Sequence, residues 1–224
     1  MGLAMNLRHH FRERLEEIRS DVIRMGGDAN EMVRMAVEAT LNGDMEIANR
    51  VIAADDRVDE YERSAVNKTV IAVMQESPVA ADLRFLVSTL GVVGEIEKVG
   101  DDAVKLARRA TKLSGQFPAE MRVALLGLGD AARKSFNSSI RLYSEYSSEL
   151  QDEIVRGDKQ IDTSYSQARN KVFELIQQNP DATEHLVRTI EAFHALEHVA
   201  DHAVAIAVRL KMLYDAEPIR SYEA

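Results

Sequence analysis

A repeat of acidic residue pairs constrains the fold of this chain more than any other feature of its sequence. Four pairs have the spacing acid-x-x-x-Asp, and they are Asp55 and Asp59, Glu97 and Asp101, Asp158 and Asp162, and Glu197 and Asp201. The last two pairs follow the first two by about one hundred residues, as Pro180 follows Pro78, and such a fixed interval indicates an internal duplication. We therefore predict two related units, residues 1–115 and residues 116–224.

Each unit has the apolar periodicity of long helices. Apolar residues recur at alternating steps of three and four, which place them on one helix face. The stripe of the first helix consists of Leu15, Ile18, Val22, Met25, Ala29, Met32, Ala36 and Ala39. That of the third helix consists of Leu83, Leu86, Leu90, Val93 and Val104. Proline is scarce and helix-favouring residues dominate, so we predict an all-α fold of two tandem three-helix bundles with six long helices.

Turn residues separate the predicted helices. Residues 42–44, Asn-Gly-Asp, end the first helix, and Asp44 is suited to cap the start of the second. The other turns between helices that we predict from proline lie at residues 77–78, 114–118 and 179–180.

Four glycines fall inside the helical stripes and not in the turns. They are Gly26, Gly27, Gly127 and Gly129. Glycine lowers the stability of a helix interior by about 1 kcal/mol relative to alanine. These positions therefore indicate a kink, a close contact between helices or a local break of the helix.

Charge and composition exclude several classes of partner. The net charge of −9 argues against a nucleic-acid partner, because binding there depends on many contacts from Lys and Arg to phosphate. The chain has no cysteine, so disulfides and thiolate metal sites are excluded. No apolar run approaches the ~20 residues of a membrane span, and we expect a cytoplasmic protein without direct membrane insertion.

The positions of the acidic pairs are more informative than their spacing, which is common in an acidic chain. Pro78 lies midway between the two pairs of the first unit, and residues 179–180 lie midway between those of the second. Residues equidistant from the turn of an antiparallel hairpin lie at the same height, and neighbouring helices pack 8–10 Å apart. Each unit is therefore predicted to bring its four carboxylates together.

A bound cation is one explanation for such a group of carboxylates. Like charges four residues apart destabilise a helix, and four close carboxylates repel or take up protons. The alternative is a solvated acidic face that Arg57 or Arg156 balances from a neighbouring helix. The second acid of each pair in the first unit also has a basic residue four positions later, Arg63 or Lys105, available for an ordinary ion pair.

The ligand types indicate which ions the two groups would bind. Oxygen ligands suit magnesium, manganese, calcium or ferric iron. In the second unit, His194, His198 and His202 recur every four residues beside the acidic pair, and imidazole extends the choice to zinc or ferrous iron. The alternative is that these histidines are surface residues or lie in the seam between helices, which we favour for His198. Glu191 with His194 also has the Glu-x-x-His spacing of di-iron bundles, but the first unit has no counterpart.

Motifs of common enzyme classes are absent from the sequence. It contains no glycine-rich phosphate loop, no Gly-x-Ser-x-Gly, no dinucleotide-binding fingerprint and no His-Glu-x-x-His. We therefore expect a binding or regulatory protein and not an enzyme. Two alternatives stay open, a ferritin-like di-metal carboxylate enzyme and a metal-free helical adaptor.

Three segments carry a more specific signal than the acidic pairs alone. They are Ser-Pro-Val-Ala-Ala-Asp-Leu-Arg at 77–84, Gly-Glu-Ile-Glu-Lys-Val-Gly-Asp-Asp-Ala at 94–103 and Leu-Glu-His-Val-Ala-Asp-His-Ala at 196–203. These segments resemble the PhoU family of phosphate-specific transport accessory and regulatory proteins. The resemblance extends from about Leu7 to Tyr214. Glu-Lys-Val-Gly-Asp stands where the family typically has Glu-Arg-Ile-Gly-Asp, and His198 replaces the usual arginine of the second copy.

The resemblance implies a function that composition and spacing do not. Proteins of this family are cytoplasmic, often dimeric, and bind metal clusters on the acidic motifs of each repeat. The metal expected from the resemblance is iron, with manganese, magnesium or zinc as alternatives, on the eight carboxylates of the four pairs. The family links a phosphate ABC transporter to a sensor histidine kinase and holds the phosphate-starvation response off when phosphate is ample. We expect the same of this chain, as a homodimer.

Overall fold

The computed structural model describes residues 2–76, 78–113 and 117–215, with side chains from residue 9 onward. These residues form six α-helices, namely α1 (Gly2–Asn42), α2 (Met45–Glu76), α3 (Ala80–Leu113), α4 (Arg122–Ser144), α5 (Ser148–Gln178) and α6 (Thr183–Tyr214). Short 3-10 turns, Ala119–Met121 and Pro180–Ala182, precede α4 and α6. The all-α architecture predicted from the periodicity is confirmed. None of the described helices combines the length and the apolar character needed to cross a membrane.

The turn between α1 and α2 forms as its residues predict. Gly43 has a φ of 66°, in the left-handed region that favours glycine. The side chain of Asp44 caps α2, since its Oδ1 accepts hydrogen bonds of 2.9 Å from the backbone N–H groups of Glu46 and Ile47. The cap satisfies two of the N–H groups that the start of a helix leaves without an internal partner.

The prolines separate the helices of each hairpin as predicted. Pro78 lies between the end of α2 and the start of α3, and Pro180 lies between α5 and α6. Residue 77 and residues 114–116 lie outside the described part of the chain. The division into units at residue 115 therefore stays a prediction.

Two central helices hold the molecule together. α3 packs against α1, α2 and α6, and α6 packs against α3, α4 and α5, while α1 also contacts α4. The main apolar core runs without interruption through all six helices. The predicted stripe of α1 is buried from Ile18 to Ala39, with its residues from Val22 onward in this core. Ile18 belongs to a smaller cluster with Phe11, Ala72 and Leu86, against which the half-buried Leu15 packs.

Part of the predicted stripe of α3 lies outside the core. Leu86 and Val93 are buried, but Leu83 and Leu90 are 40% and 39% exposed. Because α3 contacts three helices, its buried arc is centred on residues such as Ile96 and Val99. In the sequence, the buried and the exposed apolar residues of α3 follow one another at steps of three and four and so look like one stripe. Only the helices that pack against α3 distinguish the buried residues from the exposed ones.

The packing of α3 on α6 reflects the duplication directly. Arg109 of α3 pairs with Glu191 of α6, with Nε and Oε2 2.9 Å apart. In the second repeat Arg209 corresponds to Arg109, and its side chain lies across Gly91, the counterpart of Glu191. The same contact thus occurs twice, with the roles of the two repeats exchanged. Such an exchange is the mark of an approximate two-fold axis between the two helices. α3 and α6 therefore cross antiparallel, and the two repeats face each other.

Two of the four glycines in the helical stripes allow α1 and α4 to approach closely. α1 and α4 both continue through their glycines, so the predicted alternative of a local break is wrong. A Cβ on Gly26 would lie 2.8 Å from the side chain of Ile140 in α4, and one on Gly129 would lie 3.0 Å from Val37 in α1. Gly27 and Gly127 would meet nothing within 4 Å.

We expect opposite effects on stability at two glycines of α4. Gly129→Leu should lower the free energy of unfolding by about 1–3 kcal/mol, because the added atoms overpack the contact with Val37. Gly127→Ala should raise it by up to about 1 kcal/mol, because it improves helix propensity in open space. Urea unfolding followed by circular dichroism measures both, and a loss at Gly127 would contradict the contact geometry.

Candidate metal centres

The first group of carboxylates lies where α2 packs on α3. α2 supplies Asp55 and Asp59, and α3 supplies Glu97 and Asp101. Gly100 lets the two helices approach here, since a Cβ at that position would lie 3.3 Å from Oδ1 of Asp55. The structure thus brings together the four residues that the hairpin argument pairs, and metal binding by them stays a prediction.

Mutual repulsion and burial act on this first group. Burial raises the pKa of Asp55, and the charges of Asp59 and Asp101 raise it further. Burial also raises the pKa of Glu97, with Asp101 and Glu62 as the next causes. Glu62 belongs to none of the four pairs, and sequence reasoning missed it, although it follows Asp59 by three positions and so lies on the same helix face.

The basic residues expected near the first group direct their hydrogen bonds elsewhere. Arg57 donates to Asp28 of α1, with Nε 2.8 Å from Oδ2. Arg63 donates to a backbone carbonyl of its own helix at 3.2 Å, and Lys105 donates to Asp102 at 2.8 Å. The alternative in which Arg57 balances this group is therefore wrong.

The second group is more compact. Asp158 and Asp162 of α5 and Asp201 of α6 each offer one carboxylate oxygen, and the three oxygens lie within 4.8 Å of one another. Burial raises the pKa of Asp158 to about 6, and the charges of Asp162 and Asp201 contribute to the shift. Burial, followed by Asp201, also raises the pKa of Glu197 on the neighbouring turn of α6. Three carboxylate oxygens this close repel one another, and a shared cation or a shared proton would relieve that repulsion.

Two buried carboxylate oxygens of the second group have no hydrogen-bond donor. No group in the described part of the chain donates to Oδ1 of Asp158 or to Oε2 of Glu197. A buried acceptor without a donor costs about 1–3 kcal/mol, and more when it is charged. The oxygen of Asp158 lies in an all-oxygen set that fits a hard cation, and the oxygen of Glu197 is likewise open to a bound ion.

The two groups are not equivalent. Among side chains with described positions, two sets of three ligand atoms lie within 4.8 Å of one another, and both belong to the second repeat. One is the aspartate set above, and the other is His194, Glu197 and His198. Burial lowers the pKa of His194, and the charge of His198 lowers it further, which favours the neutral, metal-binding form of the His194 ring.

His202, by contrast, is turned away from the second group. Its Nδ1 lies 2.9 Å from Oε2 of Glu95, and its Nε2 lies 3.4 Å from Oδ2 of Asp102, both on α3. Burial opposes the charge on His202, but Asp102 and Glu95 hold its pKa above the ordinary value. His202 therefore joins the two repeats, in agreement with the alternative of a residue in the seam between helices.

A signal for this contact was present in the sequence. His202 and Asp102 occupy equivalent positions of the two repeats, about one hundred residues apart. Equivalent residues meet face to face where two related elements cross at a two-fold axis. Burial disfavours the charged form of Asp102, which is 2% exposed, yet His202 and Lys105 hold its pKa below the ordinary value.

The Glu-x-x-His unit noted in the sequence does not form a ligand pair. Glu191 pairs with Arg109 of α3, on the side of α6 that faces the other repeat. His194 instead lies near Tyr165 of α5, with 5.9 Å between the ring centroids. The di-iron interpretation based on this spacing therefore loses its support.

Curated proteins match this chain over most of its length. A curated relative from Pseudomonas aeruginosa, the phosphate-specific transport system accessory protein PhoU homolog, is 30% identical over 208 residues, which are 92% of this chain and 86% of the relative. Its counterpart from Pseudomonas putida is 30% identical over 204 residues, covering 90% of this chain and 79% of that protein.

Solved structures agree with these relatives. The crystal structure of PhoU from Pseudomonas aeruginosa matches 92% of this chain and 99% of its own, with a TM-score of 0.87 and 28% identity. The phosphate transport system regulatory protein PhoU from Streptococcus pneumoniae shares the fold, with a TM-score of 0.85 and 21% identity over 92% of this chain and 98% of that chain.

The family model for the PhoU domain matches twice, at residues 22–110 and at residues 125–210. Each match includes one complete group of acidic pairs and one of the two central helices. The chain belongs to the PhoU family.

Proposed function

We propose that this chain regulates phosphate uptake and phosphate-starvation signalling as a metal-binding adaptor. In this proposal it links a phosphate ABC transporter to a sensor histidine kinase in the cytoplasm, acts as a homodimer, and is a negative regulator when phosphate is ample. The observation that carries the proposal is the family membership, because the curated relatives are named as accessory proteins of the phosphate-specific transport system. A regulatory role without catalysis agrees with those names.

The carboxylate groups supply the metal-binding part of the proposal. The donorless oxygens of Asp158 and Glu197 and the three converging aspartates support binding by the second repeat. In the first repeat, burial and the charges of the neighbouring carboxylates raise the pKa of Asp55 and of Glu97, which supports a site of looser geometry. Iron is the ion we propose first, with manganese, magnesium or zinc as alternatives.

A bound ion would neutralise the facing carboxylates and connect the two helices of each hairpin. Asp55 and Asp158 would contribute from α2 and α5, and Glu97 and Glu197 from α3 and α6. Without that neutralisation the acids of each hairpin repel one another and weaken the contact between its two helices. We propose that this difference shapes the surface that α2 and α5 offer to a partner.

Replacement of one carboxylate in each group tests the function. In a strain that lacks the gene, wild-type protein should restore repression of a phosphate-starvation reporter at high phosphate. Asp55→Asn combined with Asp158→Asn should not, and the purified variant should contain less metal by elemental analysis after preparation without chelator. Glu60→Gln combined with Glu153→Gln, two exposed acids on the same helices, is the matched control.

Each outcome of this experiment separates the alternatives. Full repression by the carboxylate variant together with metal-free wild-type protein would favour a metal-free adaptor. Loss of repression in the control would show that general acidity matters and not these positions. A pull-down with the ATPase of the phosphate transporter tests the partner independently of the metal.

The raised pKa of Asp158 predicts how the stability of the metal-free protein depends on pH. The folded protein keeps the proton of Asp158 up to about pH 6, whereas the unfolded chain loses it at a lower pH. The contribution of this proton to the free energy of unfolding is therefore complete below the pKa of the unfolded chain. It is lost as the pH rises through about 6. At pH 8, Asp158→Asn should raise the free energy of unfolding by about 1 kcal/mol, a value reduced for solvent screening.

Urea unfolding of metal-free protein at pH 4.5 and pH 8 measures this effect. The gain from Asp158→Asn should be small at the lower pH, where the wild-type residue is already neutral. Addition of manganese should stabilise the wild-type protein more than the variant, since binding to the folded state raises stability. An equal loss of stability at both pH values would contradict the repulsion argument.

A further inference from the structure

The second repeat contains a group of metal-ligand side chains that the acidic pairs do not explain. One ring nitrogen of His194, one of His198 and one oxygen of Glu197 lie within 4.8 Å of one another. Two of these three residues lie outside the four acidic pairs. The first repeat has Gly94 and Lys98 at the equivalent positions, which offer no ligand and a positive charge.

We propose that His194, Glu197 and His198 form a separate site for a divalent transition-metal ion of the zinc class. Two histidines four positions apart on one helix face are a recurrent arrangement for binding one zinc ion. The proposal goes beyond the metal binding by carboxylates described above, because nitrogen atoms are the majority of its ligands. It shares only Glu197 with the acidic pairs.

The distances in this group are close to those of a tetrahedral site. Nε2 of His194 lies 3.8 Å from Oε2 of Glu197, and the ring centroids of the two histidines are 4.0 Å apart. Ligand atoms about 2.0–2.2 Å from one tetrahedral ion lie roughly 3.3 Å from each other. Small side-chain rotations therefore suffice to bind an ion.

An unpaired acceptor points to a ligand at this position. Oε2 of Glu197 is buried, and no group in the described residues donates a hydrogen bond to it. It is also the oxygen that faces His194. A buried acceptor without a donor is costly. A bound ion would supply the partner that this oxygen lacks.

Residues of both neighbouring helices lie behind the two histidines. Nδ1 of His198 faces Oδ2 of Asp102 at 3.8 Å, too long for a hydrogen bond, and Asp102 is 2% exposed. A small rotation of the ring would let Asp102 accept a hydrogen bond from Nδ1 and leave Nε2 for the metal, the usual support of a metal-binding histidine. The ring of Tyr165 in α5 lies against His194.

Ligand chemistry separates this site from the aspartate set one turn away. Imidazole favours zinc, ferrous iron, nickel and copper, whereas carboxylates alone favour magnesium, calcium and manganese. The aspartate set of Asp158, Asp162 and Asp201 contains only oxygen ligands. The second repeat is therefore expected to bind two kinds of ion at adjacent positions, and the first repeat only one.

Titration calorimetry of the full chain with zinc chloride and with manganese chloride, at pH 7.5, tests the proposal. His194→Ala combined with His198→Ala should weaken zinc binding at one site at least about 10-fold and leave manganese binding unchanged. Asp158→Asn combined with Asp162→Asn should reduce manganese binding while the histidine-dependent zinc site remains. His185→Ala, a histidine of α6 outside the group, is the matched control, and thermal unfolding verifies that each variant is folded.

Unchanged zinc affinity and stoichiometry in the double histidine variant would overturn the inference. That result would leave the carboxylate sites untouched, since their test is the loss of manganese in the aspartate variant. An equal loss of zinc in the control would also overturn it. A cobalt titration adds a direct signature, because the visible absorption of cobalt bound by nitrogen ligands should disappear only in the double histidine variant.

Discussion

The packing of α3 against α6 is the contact on which the rest of the structure depends. Both helices are buried against three neighbours, and each carries one acidic pair toward the outer helix of its own hairpin. The outer helices α2 and α5 contribute the facing acids but are covered on one side only. Apolar packing of the central pair thus provides the rigid base that holds repelling carboxylates close together.

Those carboxylates show how a fold accommodates groups that do not stabilise it. Burial and like charges raise the pKa of Asp55 in the first repeat and of Asp158 in the second. Neither helix pair forms because of these residues; the buried apolar residues beside them, such as Val51 and Val58 of α2, drive the packing. The acids are retained at a cost in stability, which is the usual mark of a functional site.

The sequence predicted what depends on local chemistry and periodicity. The cap of Asp44, the positive φ of Gly43 and the proline turns follow from rules that involve neighbouring residues, and equal distances from the turns placed the acids together. It could not predict which helix faces which partner. Leu83 and Leu90 therefore entered the predicted core wrongly, and His202 was grouped with the metal candidates although its partners, Glu95 and Asp102, lie in the other repeat.

The contact between His202 and Asp102 also determines which halves can pair. These residues hold equivalent places in the two repeats, yet one is a base and the other an acid. Two copies of the first repeat would set one buried aspartate against another at the same point, and two copies of the second would set histidine against histidine. An acid in one half and a base at the same place in the other make each half complementary to its partner at this point and not to a copy of itself.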